Sequence, residues 1–104
     1  MLEGTLSNQC KKYFDSLGSD CVAIHPHQTN YTGRRGISDW IVVYKGYPIC
    51  IELKVGTNKP TPLQLQFLED ARGAGAITAV CYFLDEVKEV IRRIDQTIEA
   101  RKLG

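Results

Sequence analysis

The chain has 104 residues, 43% of them hydrophobic and 24% charged, with a formal net charge of +1. That length and mix fit one soluble globular domain spanning residues 1–104. No apolar run approaches the ~18 residues of a membrane span, the N-terminus lacks the pattern of a secretory signal, and the near-neutral charge excludes nucleic-acid binding by overall basicity.

In chain order, Leu2, Leu6, Cys10, Phe14 and Leu17 recur every three or four residues and predict an amphipathic first helix that stops at Gly18. Residues 21–28, CVAIHPHQ, are short, partly β-branched and interrupted by Pro26, which predicts an edge strand. Residues 29–36, TNYTGRRG, are rich in turn formers and read as a loop. Residues 38–54, SDWIVVYKGYPICIELK, predict a β-hairpin with Gly46 in its turn. After a second loop, Thr61 is a suitable N-cap and Pro62 a suitable first residue for a helix ending at Gly73 or Gly75. The apolar run 76–84, AITAVCYFL, has the length of a buried strand. Asp85 is placed to cap a last helix with Val87, Val90, Ile91, Ile94 and Ile98 on one face. The order αβββαβα predicts an α/β fold, a mixed four-stranded sheet flanked by helices.

Cysteines 10, 21, 50 and 81 show no C-x-x-C spacing, which argues against a zinc or redox motif and for reduced thiols in a cytoplasmic protein. His25 and His27 share a strand face; a two-histidine metal site and ordinary strand histidines are both open readings.

The hairpin carries Asp39 where its first arm begins, and Glu52 and Lys54 where its second ends. Side chains alternate along a strand, so Glu52 and Lys54 share a face. A two-residue turn at Lys45 and Gly46 sets Asp39 opposite Glu52; a turn at Gly46 and Tyr47 sets it opposite Lys54; a three-residue turn breaks the alignment. Two adjacent carboxylates repel unless a cation lies between them, and hard divalent ions favour such oxygens. An ammonium group beside them can stabilise a negative transition state. A structural salt bridge from Lys54 to either acid is the alternative.

GISDW followed, after the turn, by CIELK resembles the PD-(D/E)xK nuclease superfamily, whose fold is the restriction-endonuclease-like core. The following segment, PTPLQLQFLEDARGAGA, is similar to the helix of the virus-type replication–repair nucleases (VRR-Nuc), in their stand-alone phage and bacterial form. The matching features are Thr61-Pro62-Leu63-Gln64, the apolar pair Phe67-Leu68, and Gly75. One departure is Ser38, where the pattern usually has proline. The resemblance implies that Asp39 and Glu52 bind Mg²⁺ or Mn²⁺, with the carbonyl of Leu53 as a third ligand, and that Lys54 is catalytic. Gln64 would contact Lys54 or the attacking water. Glu3 would complete the metal shell from the first helix, although an acid in a first helical turn is favoured by the helix dipole in any case. The loop residues Arg34 and Arg35, with Tyr31 and Lys59, are the candidates for DNA contact.

The resulting expectation is a metal-dependent DNA endonuclease acting on branched DNA such as four-way junctions. Other expectations are a restriction-like or resolvase-like nuclease of different specificity, and a non-catalytic nucleic-acid-binding module on the same fold. Cutting two strands requires two sites, which predicts a homodimer. Tyr13, Trp40, Tyr44, Tyr47 and Tyr82 are the aromatic candidates for its interface.

Overall fold

The structure is a computed structural model, and it describes residues 1–26 and 34–104. His27 and Tyr31 lie outside the described residues. The elements are α1 (Glu3–Ser16), a short 3-10 turn (Gly18–Asp20), β1 (Cys21–Ile24), β2 (Trp40–Tyr44), β3 (Tyr47–Leu53), α2 (Pro62–Gly73), β4 (Ile77–Cys81) and α3 (Leu84–Leu103). The sheet order is β1-β2-β3-β4, with β1, β2 and β3 antiparallel and β4 parallel to β3. This is the mixed four-stranded α/β architecture that the sequence predicts.

The hairpin turn is the two-residue form. Lys45 and Gly46 both have positive φ, 48° and 86°, the backbone shape that matches strand twist in tight hairpins. The register follows: Tyr44 pairs with Tyr47, Val42 with Ile49, and Trp40 with Ile51. Val42, Ile49, Ile51 and Leu53 then point to one face and are fully buried there. They form a single apolar cluster with Leu6, Cys10 and Phe14 of α1 and Val87, Ile91 and Ile94 of α3. The helix spacing seen in the sequence thus becomes the second layer of the core.

The opposite face carries Cys50 and Glu52, and the β3–α2–β4 connection packs α2 against β3 and β4. Thr61 caps α2: its side chain accepts the Gln64 N–H at 3.2 Å, and Gln64 Oε1 accepts the Thr61 N–H at 2.9 Å. This reciprocal capping box satisfies two helix-end donors and fixes where the helix begins.

Several boundaries depart from the sequence reading. The first strand ends at Ile24, before His25 and Pro26. The fourth strand is an edge strand and stops at Cys81; among its residues only Cys81 is buried. The reason for the early stop lies in α3, whose Glu86 carboxylate accepts the N–H groups of Tyr82 (2.6 Å) and Phe83 (3.1 Å). The helix therefore starts at Leu84 with Phe83 as N-cap, and Asp85 lies in its first turn. The aromatic residues expected at a dimer interface pack on their own chain. Trp40 and Tyr44 are 5% and 4% exposed, and Tyr44 donates to Asp95 at 2.9 Å. Tyr47 accepts a hydrogen bond from Arg101 at 2.7 Å, and Tyr82 donates to the Asn58 carbonyl at 2.6 Å. Tyr44, Tyr47 and Tyr82 each have a polar partner on their own chain.

Candidate active site

Asp39 immediately precedes β2, and extending the hairpin register sets it opposite Glu52. Its Oδ2 accepts the N–H of Leu53 at 2.7 Å, which ties the start of β2 to the end of β3. Ser38, in the place where the resembled pattern has proline, is 2% exposed and donates to the Trp40 carbonyl at 3.0 Å. The serine thus holds the turn into β2 by a hydrogen bond where proline would do so by its ring.

Glu52 is 1% exposed, and its Oε2 is buried without a hydrogen-bond partner among the described residues. Burial raises its carboxyl first, and contact with the Asp39 carboxylate raises it further, to about 9 from an ordinary 4.5; Lys54 opposes the rise. A buried carboxyl with an unmatched oxygen beside a second carboxylate is costly for a fold to keep. It is also a donor set suited to a hard dication. The two carboxyls therefore fit the divalent metal that the resemblance implies, and Lys54 lies close enough to Glu52 for its charge to act on it.

The remaining sequence candidates fall in different places. Glu3 is exposed in the first turn of α1, and no group of three or more His, Cys, Asp or Glu side chains able to hold a metal occurs among the described residues. The structure therefore does not bring Glu3 to the Asp39–Glu52 pair; its observed setting is the favourable one for an acid at a helix N-terminus. Leu53 contributes its N–H to Asp39. Gln64 is half-buried, with its carbonyl committed to the capping box.

Arg34 bonds Asp70 of α2 at 2.5 Å and lies over the Phe67 ring at 5.1 Å, so this arginine is a clasp between the loop and the helix. The ion pair holds the Asp70 carboxyl below its usual range, with Gln66 adding a hydrogen bond. Arg35 is exposed and borders a shallow depression with Leu63 and Gln66. Lys59 is exposed in the loop after β3.

Gly36 is a positioning residue that sequence reasoning missed. It has φ 76°, and a Cβ there would lie 2.4 Å from the Leu63 carbonyl carbon and oxygen. Only glycine allows the loop before Asp39 to rest on the first turn of α2. The sequence signal was the second glycine of GRRG, read there only as a turn former.

The acidic pair beside a lysine sits on a mixed four-stranded sheet flanked by helices, the restriction-endonuclease-like architecture. A solved structure described as a VRR_NUC domain superposes on this chain with a TM-score of 0.70 and 29% sequence identity, over 86% of this chain and 94% of the other. The chain has the VRR-Nuc nuclease fold, and the likeness supports a nuclease domain. No family model and no curated protein matches the sequence.

Proposed function

We propose that this chain is a metal-dependent DNA endonuclease that hydrolyses phosphodiester bonds, with branched DNA as its substrate. The observation that carries the reading is the buried Glu52 carboxyl on β3, one oxygen of it unmatched among the described residues, set against Asp39 just before β2, with Lys54 just after β3. Asp39 and Glu52 would hold Mg²⁺ or Mn²⁺, with the Leu53 carbonyl as the third ligand that the resemblance implies. When bound, such an ion supplies polarisation of the scissile phosphate and a water of lowered pKa.

The chain's own residues do the rest. Asp39 is oriented by the Leu53 N–H, which fixes the direction of its carboxylate. Lys54 places a positive charge where negative charge develops on the phosphate. The Gln64 carbonyl is held by the Thr61 N–H, which fixes its amide group at the start of α2. Arg35 and Lys59 gather the DNA backbone. All four cysteines are free, which fits a reducing, cytoplasmic setting.

Two sites are needed to cut a junction on both sides, and a homodimer would provide them. With the tyrosines packed on their own core, the exposed apolar residues Val22, Ile24 and Val43 of β1 and β2 are the surface that fits a second copy. Sedimentation at micromolar concentration tests it, and a monomer there removes the dimer. The activity is tested by incubating linear, flapped and four-way DNA with and without Mg²⁺ or Mn²⁺. Cleavage that depends on metal and on branching is expected; no hydrolysis of any substrate overturns the reading.

A further inference from the structure

The pairing of β1 with β2 stops at Ile24 and Ile41, just short of Asp39. Carried two residues further, the same register sets His25 opposite Trp40 and Pro26 opposite Asp39. Antiparallel strands exchange backbone hydrogen bonds at every second pair. The Lys45 N–H donates to the Asp20 carbonyl at 2.9 Å, one pair before Cys21 and Tyr44. The bonded pairs therefore continue through Val22 with Val43 and Ile24 with Ile41, and the next is Pro26 with Asp39. The Asp39 carbonyl is due an N–H from residue 26, and proline has none.

A side chain stands in for that donor. His25 Nδ1 donates to the Asp39 carbonyl at 2.6 Å. The imidazole is held in place by Trp40, with ring centroids 4.8 Å apart and planes at 35°. Trp40 is itself 5% exposed and meets the Phe14 ring of α1 edge-on at 5.2 Å. A chain of ring contacts thus runs from the core to the backbone of Asp39. A nitrogen whose proton is spent on a carbonyl is not free to ligate a metal, so this arrangement speaks against the two-histidine site for His25.

Asp39 lies just outside β2, where the ladder no longer fixes the backbone. It is held at two points, its carbonyl by His25 and its carboxylate by the Leu53 N–H at 2.7 Å. Partners that orient a ligand residue act on metal affinity without touching the metal.

We propose that His25 is a positioning residue for Asp39, its Nδ1–H replacing the backbone donor that Pro26 lacks and so setting the direction from which the Asp39 carboxylate meets Glu52. The proposal rests on the nuclease reading for the use made of Asp39. The bond is exposed and water can serve the carbonyl in its absence, so its loss should move the thermal midpoint little.

The test combines nuclear magnetic resonance of the metal-free protein with Mn²⁺ titration followed by electron paramagnetic resonance. In the native chain the neutral imidazole should carry its proton on Nδ1; a proton on Nε2 alone overturns the proposal. His25→Phe keeps a ring on Trp40 and removes the donor, and Mn²⁺ affinity should fall about tenfold. His25→Asn, which carries an N–H at the distance of Nδ1 from the backbone, should stay close to native. Adding Pro26→Ala to His25→Phe restores the backbone N–H and should recover most of the affinity. Native affinity in His25→Phe, or a loss that neither His25→Asn nor the added Pro26→Ala repairs, overturns the proposal. Should His25→Phe fail to fold, the native tautomer and His25→Asn decide. If Mn²⁺ binds and DNA is cut while His25→Phe matches the native chain, the positioning role alone falls. If the native chain neither binds Mn²⁺ nor cuts DNA, the nuclease reading falls, and the Asp39 carbonyl carbon resonance decides the role of His25. It should shift in His25→Phe and return with Pro26→Ala; an unmoved resonance overturns the proposal.

Discussion

The two faces of the β2–β3 hairpin are built from the same two strands under opposite rules. On the face toward α1 and α3, Val42, Ile49, Ile51 and Leu53 are completely buried among apolar neighbours. On the other face, Glu52 is almost as deeply buried, yet one of its oxygens has no partner among the described residues and its neighbour is another carboxylate. Adjacent residues therefore serve different ends: Ile51 and Leu53 contribute stability, and Glu52 between them opposes it. Burial alone says little about what a residue does; the match between a buried group and its surroundings says more.

Replacing one residue on each face separates the two roles. Glu52→Gln and Asp39→Asn should each abolish metal-dependent cleavage, a loss of about 10³-fold or more, as expected when a metal ligand is removed. In the metal-free protein each should leave thermal stability unchanged or slightly raised, because Glu52 no longer has to carry either a buried charge or the proton that avoids it beside the Asp39 carboxylate. Ile51→Ala should instead cost about 2–5 kcal/mol of stability, the range for emptying a core position. Thermal melts alongside cleavage assays check both. A strong destabilisation by Glu52→Gln would show that the acids belong to a structural salt bridge.

The pH dependence of the metal-free protein sharpens the contrast. An unfolded chain releases the Glu52 proton near the ordinary carboxylate value of 4.5, whereas the native chain holds it up to about 9. Between those values the native state binds more protons, so this residue makes stability fall as pH rises, by up to about 1.4 kcal/mol per pH unit. The contribution is complete below the lower value and is lost by the upper one. Melts in chelator from about pH 5 to about pH 8 should show that slope in the native chain and not in Glu52→Gln.

Lys54→Ala should remove turnover and leave DNA affinity nearly intact, since its proposed action is on charge that appears only in the transition state. The smallest expected effects separate the two loop arginines. Arg35→Ala should lower the salt dependence of DNA binding by roughly one phosphate contact. Arg34→Ala should mainly lower the thermal midpoint by a small amount, because Arg34 already engages Asp70 and Phe67. Equal effects of the two changes on DNA binding would assign both side chains to the DNA.

The hairpin and its acidic pair were legible in the sequence because the governing rules are local. Strand alternation and a Lys-Gly turn fix which residues face each other, and the observed register is one of the two that were open. The start of α2 was legible for the same reason, from Thr61 and Pro62. The Thr61…Gln64 spacing also spells the capping box that the structure shows there. The end of β4 was misjudged because a glutamate further on captures Tyr82 and Phe83, and Phe83 bears no polar cap to announce it. The clasp of Arg34 and the contact of Gly36 depend on where α2 packs, and no local pattern encodes that.

The hairpin register has a consequence for how the molecule forms. Asp39 and Glu52 sit on the two arms of a single tight hairpin, so closing one short loop brings them together. The parallel pairing of β3 with β4 must instead wait for the α2 crossover, which closes a much longer stretch of chain. Folding should therefore assemble the mutually repelling acids early and complete the far edge of the sheet late. A chain emerging from synthesis would carry its acidic pair, in register, before the last strand exists to complete the sheet.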